Sequence, residues 1–213
     1  MNSVSIKYDS VAGVDGVNQD RILCEQLTDD SYIAILADGM GGLQYGDLAA
    51  DIVMHSIYNK VKENLTLTNI HLVLIEAFGQ ADHTIAERSC QLHCKMGAAV
   101  TVVIVKGNTL YCAWQGNVRL YCQQEGKLLQ LTEDHTKSAD CNTLLTRCVN
   151  GKGYRHPIPV LSKDLTGVST LILCSDGFYQ SENYLELTEL NVLPRSIEPQ
   201  QDDASYIILQ LKQ

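Results

Sequence analysis

The chain has 213 residues, 45% of them hydrophobic, and a formal net charge of -9, which suits one globular domain with a substantial core. The acidic balance excludes broad electrostatic attraction to nucleic acid or to an anionic membrane face, leaves room for a local basic patch, and favours cations near any acidic site. No basic and apolar leader opens the sequence, no apolar run approaches the ~20 residues that cross a bilayer, and most of the eight cysteines sit in apolar patterns (Cys24, Cys112, Cys122, Cys174) that read as reduced, buried thiols of a cytoplasmic protein.

Ser3 to Tyr8, Arg21 to Gln26 and Tyr32 to Ala37 read as strands, the last an unbroken apolar run suited to burial on both faces. That run ends in Asp38 and then in three glycines within four positions, "ADGMGG". A carboxylate at the mouth of an apolar strand is costly unless something positive meets it. Helical spacing follows: Ala49, Ile52, Val53, Ile57 and Val61 predict a helix from about Asp47, placed as its N-cap, to Asn64. Leu74, Ile75, Phe78, Ala81 and Ile85 predict a second helix from about Asn69 to Gln91 by the same periodicity. Cys90, His93 and Cys94 lie within about a turn near its end. They lack a second Cys/His pair with zinc-site spacing and read as thiols on a helix end.

"GAAVTVVIVKGNTLYCAWQGNVRLYCQQEGKLLQLT" reads as a meander of antiparallel hairpins, with turns at Gly107-Asn108, Gly116-Asn117 and Glu125-Gly126. Trp114 reads as packing within it, and His55 and His71 as surface or boundary residues of the helices. Ser169 to Phe178 is a further apolar strand ending in Ser175-Asp176-Gly177, with a short helix expected through Tyr184 and Leu190. The acidic pair in "QQDDASYIILQL" precedes a final strand. No repeat or linker divides the chain, so residues 1–213 are taken as a single domain. Hairpins in quantity with the helices grouped as a pair indicate an α+β layered sandwich of antiparallel sheets.

Asp20, Asp38, Asp176 and Asp202 fall at strand starts or ends, placements that can gather carboxylates at one edge of such a sandwich. Gathered carboxylates repel one another, and hard divalent cations with oxygen ligands, Mg²⁺ or Mn²⁺, relieve that repulsion. Gly39, without a Cβ, lets the backbone approach an ion and offer its carbonyl.

"NQD" (Asn18 to Asp20), "ADGMGG", "GNVRLY" (Gly116 to Tyr121), "LTEDHT" (Leu131 to Thr136), "LCSDGF" (Leu173 to Phe178) and "DDAS" (Asp202 to Ser205) resemble, in order and spacing, the motifs of the PPM or protein phosphatase 2C family. The resemblance covers nearly the whole chain. It implies a four-layer α-β-β-α sandwich, two antiparallel sheets flanked by helix pairs, and a metal-dependent phosphoprotein phosphatase of the smaller bacterial type. It implies that Asp38 bridges two Mn²⁺ or Mg²⁺ ions and that the Gly39 carbonyl completes one site. Asp176 and Asp202 would hold the other ion, and Asp20 would act directly or through water, with Asp38 and Asp176 as the catalytic acids. A water between the ions would then attack the phosphorus of phosphoserine or phosphothreonine, displacing the side-chain oxygen and releasing phosphate. A phosphoprotein substrate and an opposing serine/threonine kinase are the implied partners, with neither nucleic acid nor membrane.

This chain departs from the family pattern at several points. Asp15 stands where relatives commonly place a phosphate-holding arginine, and strand alternation turns Arg21 away from the face of Asp20. Gln19 replaces a frequent Glu. Met40 stands where some relatives carry His. Asn117 replaces the Asp of a third metal site, which is expected to be absent or feeble. The flap near 136–142 reads as shortened, and His135 as a loop organiser by hydrogen bonding. A pseudophosphatase that binds a phosphoprotein or regulator without turnover is therefore the alternative, and a carboxylate-lined metal-binding domain the third reading.

Overall fold

The structure is a computed structural model and describes residues 4–14, 16–40, 43, 45–65, 69–139, 142–181 and 201–211. Asp15, two of the three glycines after Asp38 (Gly41 and Gly42), and the helix expected through Tyr184 and Leu190 lie outside them. In chain order the elements are β1 (Val4–Val11), β2 (Asp20–Thr28), β3 (Ser31–Gly39), α1 (Gly46–Asn64), α2 (Ile70–Gln91), β4 (Ala98–Lys106) and β5 (Thr109–Gln115). They continue as β6 (Arg119–Gln124), β7 (Lys127–Gln130), β8 (Thr136–Ala139), β9 (Asn142–Leu145), β10 (Val160–Asp164), β11 (Val168–Cys174), the single turn α3 (Asp176–Tyr179) and β12 (Ala204–Leu211).

Two five-stranded antiparallel sheets face each other, in the orders β10-β5-β4-β3-β2 and β1-β12-β11-β6-β7. Strand β3 shows why its run is apolar throughout. Ile33, Ile35 and Ala37 point into a core shared with the helices, while Ala34 and Leu36 point into the core between the sheets. Each large side chain so enclosed contributes about 1.5–3 kcal/mol. On the first sheet, α1 and α2 bury Val53, Ile57, Leu74 and Phe78 completely. The outer face of the second sheet is covered in part by Phe178 and Tyr206. The short helix expected through Tyr184 and Leu190 lies outside the described residues.

Three local expectations are corrected. Asp47 is not the N-cap of α1: Tyr45 is, without a side-chain cap bond, and Asp47 sits in the first turn, where its charge still meets the positive end of the helix dipole. Ile75 is 44% exposed, because the inward stripe of α2 runs through Ile70, Val73, Leu74 and Ala77 instead. The turn at Gly116-Asn117 is not a hairpin either. β5 and β6 belong to different sheets, so this turn crosses between them, and at Gly116 (φ +115) an added Cβ would meet the Ala99 Cβ at 2.3 Å. The other two turns do close hairpins, β4–β5 and β6–β7, with Glu125 and Gly126 both at positive φ.

At α2 the opening asparagine caps the helix, Asn69 Oδ1 accepting the Leu72 N–H at 3.2 Å. Between His135 and Thr146 the chain forms a small two-stranded ladder, β8 with β9, where the shortened flap was expected. The described cysteines are free thiols. Among the described residues no helix is long and apolar enough to cross a membrane.

Candidate metal centre

The site is assembled from the ends of strands in both sheets. In the first sheet Asp20 and Asp38 stand directly opposite each other in the β2–β3 ladder, so two carboxylates share one edge. In the second, Asp176 follows β11 and opens α3, and Asp202 and Asp203 precede β12, the partner strand of β11. Ser175 joins the two sheets. Its hydroxyl donates to Asp20 Oδ2 at 2.8 Å and accepts the Ser205 N–H at 2.9 Å, with the serine itself fully buried.

Each acid is held differently. Asn117 Nδ2 donates to Asp176 Oδ2 at 2.9 Å. Asp203 takes two backbone donors, Gly13 N–H at 2.8 Å and Gln19 N–H at 2.7 Å, one on each oxygen. Asp38 has no hydrogen-bond donor or ion-pair partner among the described residues. Burial and then the neighbouring charges of Asp20, Asp176, Asp202 and Asp203 push its carboxyl well above the usual range. Burial also raises Asp20, to about 7, against the lowering effect of the Ser205 and Ser175 hydroxyls. Asp176 is raised by burial and by Asp202, with Asn117 opposing. Burial leads each of these upward shifts, repulsion between the acids adds to it, and no neighbouring cation among the described residues opposes it.

The backbone is packed closely around the same point. A Cβ on Gly39 would lie 2.2 Å from the Gly46 carbonyl oxygen, and one on Gly13 would lie 2.7 Å from the Asp202 carbonyl carbon. The Gly39 N–H donates to the Gln19 carbonyl at 3.2 Å. Gln19 therefore serves through its backbone, while its side chain packs on Gly46.

These donors suit a hard divalent cation: carboxylate oxygens and a backbone carbonyl, in mutual repulsion, with Asp38 lacking any donor. Among the described residues no three His, Cys, Asp or Glu side chains are drawn together into a ready-made ion cage. The structure thus brings Asp20, Asp38, Asp176 and Asp202 to one edge with Gly39 between strand and helix, and leaves Asp202 exposed at the rim.

The cations and rings around the site have other duties. Arg119 grips Asp134 through Nε at 3.1 Å and Nη2 at 2.8 Å and lies 3.6 Å over the Tyr179 ring, a fork geometry that fixes it in place. Arg21 donates to the Asn18 and Asp20 carbonyls and pairs with Asp47 at 3.5 Å. Burial lowers His135 to about 4, helped by the Arg147 charge. Neutral, it accepts the Gly116 N–H on Nδ1 at 3.1 Å and stacks on Trp114, and so organises the loop. Trp114 is itself buried and donates to the Glu133 carbonyl.

Sequence reasoning passed over Ser175, Asp203 and the amide of Asn117 as positioning groups. Asp203 carried a signal, being the second acid of a pair before a strand. Ser175 carried none, because its value depends on Asp20 arriving from the other sheet.

Comparison with known proteins adds an independent line. The family model described as protein phosphatase 2C matches residues 9–202. The chain is 27% identical over 196 residues to the serine/threonine phosphatase stp of Listeria welshimeri, covering 82% of this chain and 77% of that protein. With the Listeria monocytogenes counterpart it is 28% identical over 200 residues, with the same coverage. Among solved structures, the Mycobacterium tuberculosis serine/threonine phosphatase PstP/Ppp superposes over 100% of both chains with a TM-score of 0.83 at 19% identity. The PstP catalytic domain in complex with two manganese ions gives 0.80 at 19% identity, again over 100% of both chains. Staphylococcus aureus Stp1 gives 0.81 at 17%, over 99% of this chain and 96% of that one.

Proposed function

Because this chain belongs to the protein phosphatase 2C family, we propose that it is a metal-dependent protein-serine/threonine phosphatase acting on phosphoprotein substrates laid down by an opposing kinase. The observation that carries the reading is Asp38: a carboxylate at the end of an interior strand, facing Asp20 across the ladder and surrounded by acids, with no cationic partner among the described residues. Asp38, Asp20, Gly39, Asp176 and Asp202 are the residues proposed to hold two Mn²⁺ or Mg²⁺ ions.

When bound, such ions lower the pKa of water and offset charge on the phosphoryl oxygens. The chain's own residues supply position. Ser175 fixes Asp20, Asn117 fixes Asp176, and Asp203 ties the loop of Gly13 and Gln19 to the start of β12. Asn117 also puts a neutral amide where an acid would draw a further ion, which supports a two-ion site. The thiol beside the site, Cys174, is fully buried and pushed far up by that burial, so it stays protonated and is no nucleophile. Free cysteines support a reducing, cytoplasmic location.

Hydrolysis of p-nitrophenyl phosphate and of a phosphoserine peptide, with Mn²⁺ and after its removal by EDTA, tests the proposal. Mn²⁺-dependent turnover that Asp38→Asn abolishes is the expected result. Peptide binding without turnover in the parent protein would replace it with the pseudophosphatase reading.

A further inference from the structure

Beside the acid edge stands a wall of opposite sign. The segment from Leu145 to His156, with Met40 and Gln115, encloses a cavity of about 440 Å³. Arg147, Lys152, Arg155 and His156 lie on it, and no described Asp or Glu does. In a chain of net charge -9 this is a local inversion. Arg147, Lys152 and Arg155 make no ion pair among the described residues, so their charge is available to a ligand.

The cations come from four positions along the segment, Arg147, Lys152, Arg155 and His156. Several carboxylates carried on neighbouring residues of one chain match such a row better than the single centre of inorganic phosphate does.

The wall is built in advance. Asp82 on α2, 7% exposed, accepts the backbone N–H groups of Asn150 at 3.2 Å, Gly151 at 2.8 Å and Gly153 at 2.8 Å. Tyr154 donates its hydroxyl to the Phe78 carbonyl at 2.8 Å, and Val149 and Ala98 exchange backbone bonds at 3.0 Å. At Gly151 (φ +76) a Cβ would lie 2.7 Å from the Ala86 backbone nitrogen, so the loop sits directly on the helix. Cations on a loop already ordered lose less entropy when a ligand arrives.

The wall also adjoins the proposed catalytic edge. Met40 follows Gly39 in the chain, and its N–H donates to the Gly97 carbonyl at 3.0 Å. A Cβ on Gly97 would touch Asn150 at 3.0 Å and the Met40 sulfur at 3.1 Å. Asp15 meanwhile stands where the family commonly has a cation for the phosphate, which leaves recognition of negative charge to other parts of the chain.

We propose that this basin is a substrate-selecting subsite that takes acidic residues flanking the phosphoserine or phosphothreonine of a phosphoprotein. The inference deepens the phosphatase reading and rests on it for the word substrate. The binding itself can be measured without catalysis. Two fluorescent phosphoserine peptides, one flanked by glutamates and one by glutamines, are titrated with the full chain in EDTA at low salt and read by anisotropy. The same titrations are made with K152E/R155E, whose two exposed side chains leave the core untouched, with an unchanged melting temperature as the check.

The parent protein is expected to bind the acidic peptide at least about tenfold more tightly, and the double variant to lose that preference. Equal Kd values for the two peptides in the parent, or a preference that survives in the variant, overturns the subsite. So does displacement of the acidic peptide by inorganic phosphate at equal concentration, which would assign the cations to a free anion. Failure of the parent to hydrolyse p-nitrophenyl phosphate with Mn²⁺ would sink the phosphatase reading alone, since the anisotropy result stands apart from it.

Discussion

Asp82 and Asp38 are both drawn in from the surface, one on a helix and one at a strand end, and they have opposite surroundings. Asp82 accepts three backbone N–H groups and has become a brace. Asp38 has no donor among the described residues and faces four other aspartates that raise it. Satisfied, a buried carboxylate holds a loop in place. Asp38, half-buried and crowded by its like, instead stores a demand for positive charge, and that demand is the chemical content of the site.

The sharpest break between the two is in activity against stability. Asp38→Asn should lower kcat roughly a thousandfold at saturating Mn²⁺, the scale of losing a group that acts in the transition state. The same variant should raise the melting temperature of the metal-free protein, since it removes a carboxyl that folding forces either to keep its proton or to bear its neighbours' repulsion. Full activity in steady-state assays would show that Asp38 is no more than a strand terminus.

Asp82→Ala should do the reverse. Three backbone donors lose their acceptor, at a cost of about 3 kcal/mol, read as a lower urea midpoint with an unchanged m-value. A loss under ~0.5 kcal/mol would mean that water replaces the carboxylate and that the loop needs no brace.

Acidity sets the next contrast. Asp20, Asp38 and Asp176 are all raised by burial and mutual repulsion, Asp20 to about 7. The folded metal-free chain thus holds protons that the unfolded chain has released. The contribution of these acids to stability is fullest below pH ~4 and should fall by about 2 kcal/mol as the pH climbs toward ~7. Saturating Mn²⁺ should flatten that slope and lift the melting temperature, because an ion bound only by the native state stabilises it by mass action. Identical pH profiles with EDTA and with Mn²⁺ would mean that ions do not reach these acids.

Asn117→Asp is the smallest test. It exchanges the amide that donates to Asp176 for another acid, and should cost about 1 kcal/mol in EDTA. Added Mn²⁺ should recover more of the loss in this variant than in the parent, read by differential scanning calorimetry. Equal recovery would show that the position does not face the ions.

Periodicity carried most of the fold, because apolar spacing reports directly which face of a strand or helix is covered. It placed β3 inside a sheet with both faces covered and both long helices within a residue or two of their ends. It failed at Gly116-Asn117, since a turn signal describes local backbone and is silent on which sheet the next strand joins. The candidate acids were legible as punctuation on apolar strands. Asp82 was missed although it lies four residues after Phe78 and three before Ile85, both buried on the inner stripe of α2; a lone acid in an amphipathic helix is ordinarily given to solvent. The basin was missed for a different reason. Lys152, Arg155 and His156 look like scattered loop charges until the fold sets Met40 and Gln115 against them.

The Ser175 hydroxyl, shared between Asp20 and the Ser205 amide, has a kinetic consequence. Neither sheet can peel away at this edge without breaking the same bond, so β2 and β12, distant in the chain and paired to different neighbours, should open to solvent in one event. Native-state deuterium exchange would then give the Ser205 amide a protection close to that of the β2–β3 ladder, and Ser175→Ala would let the two drift apart.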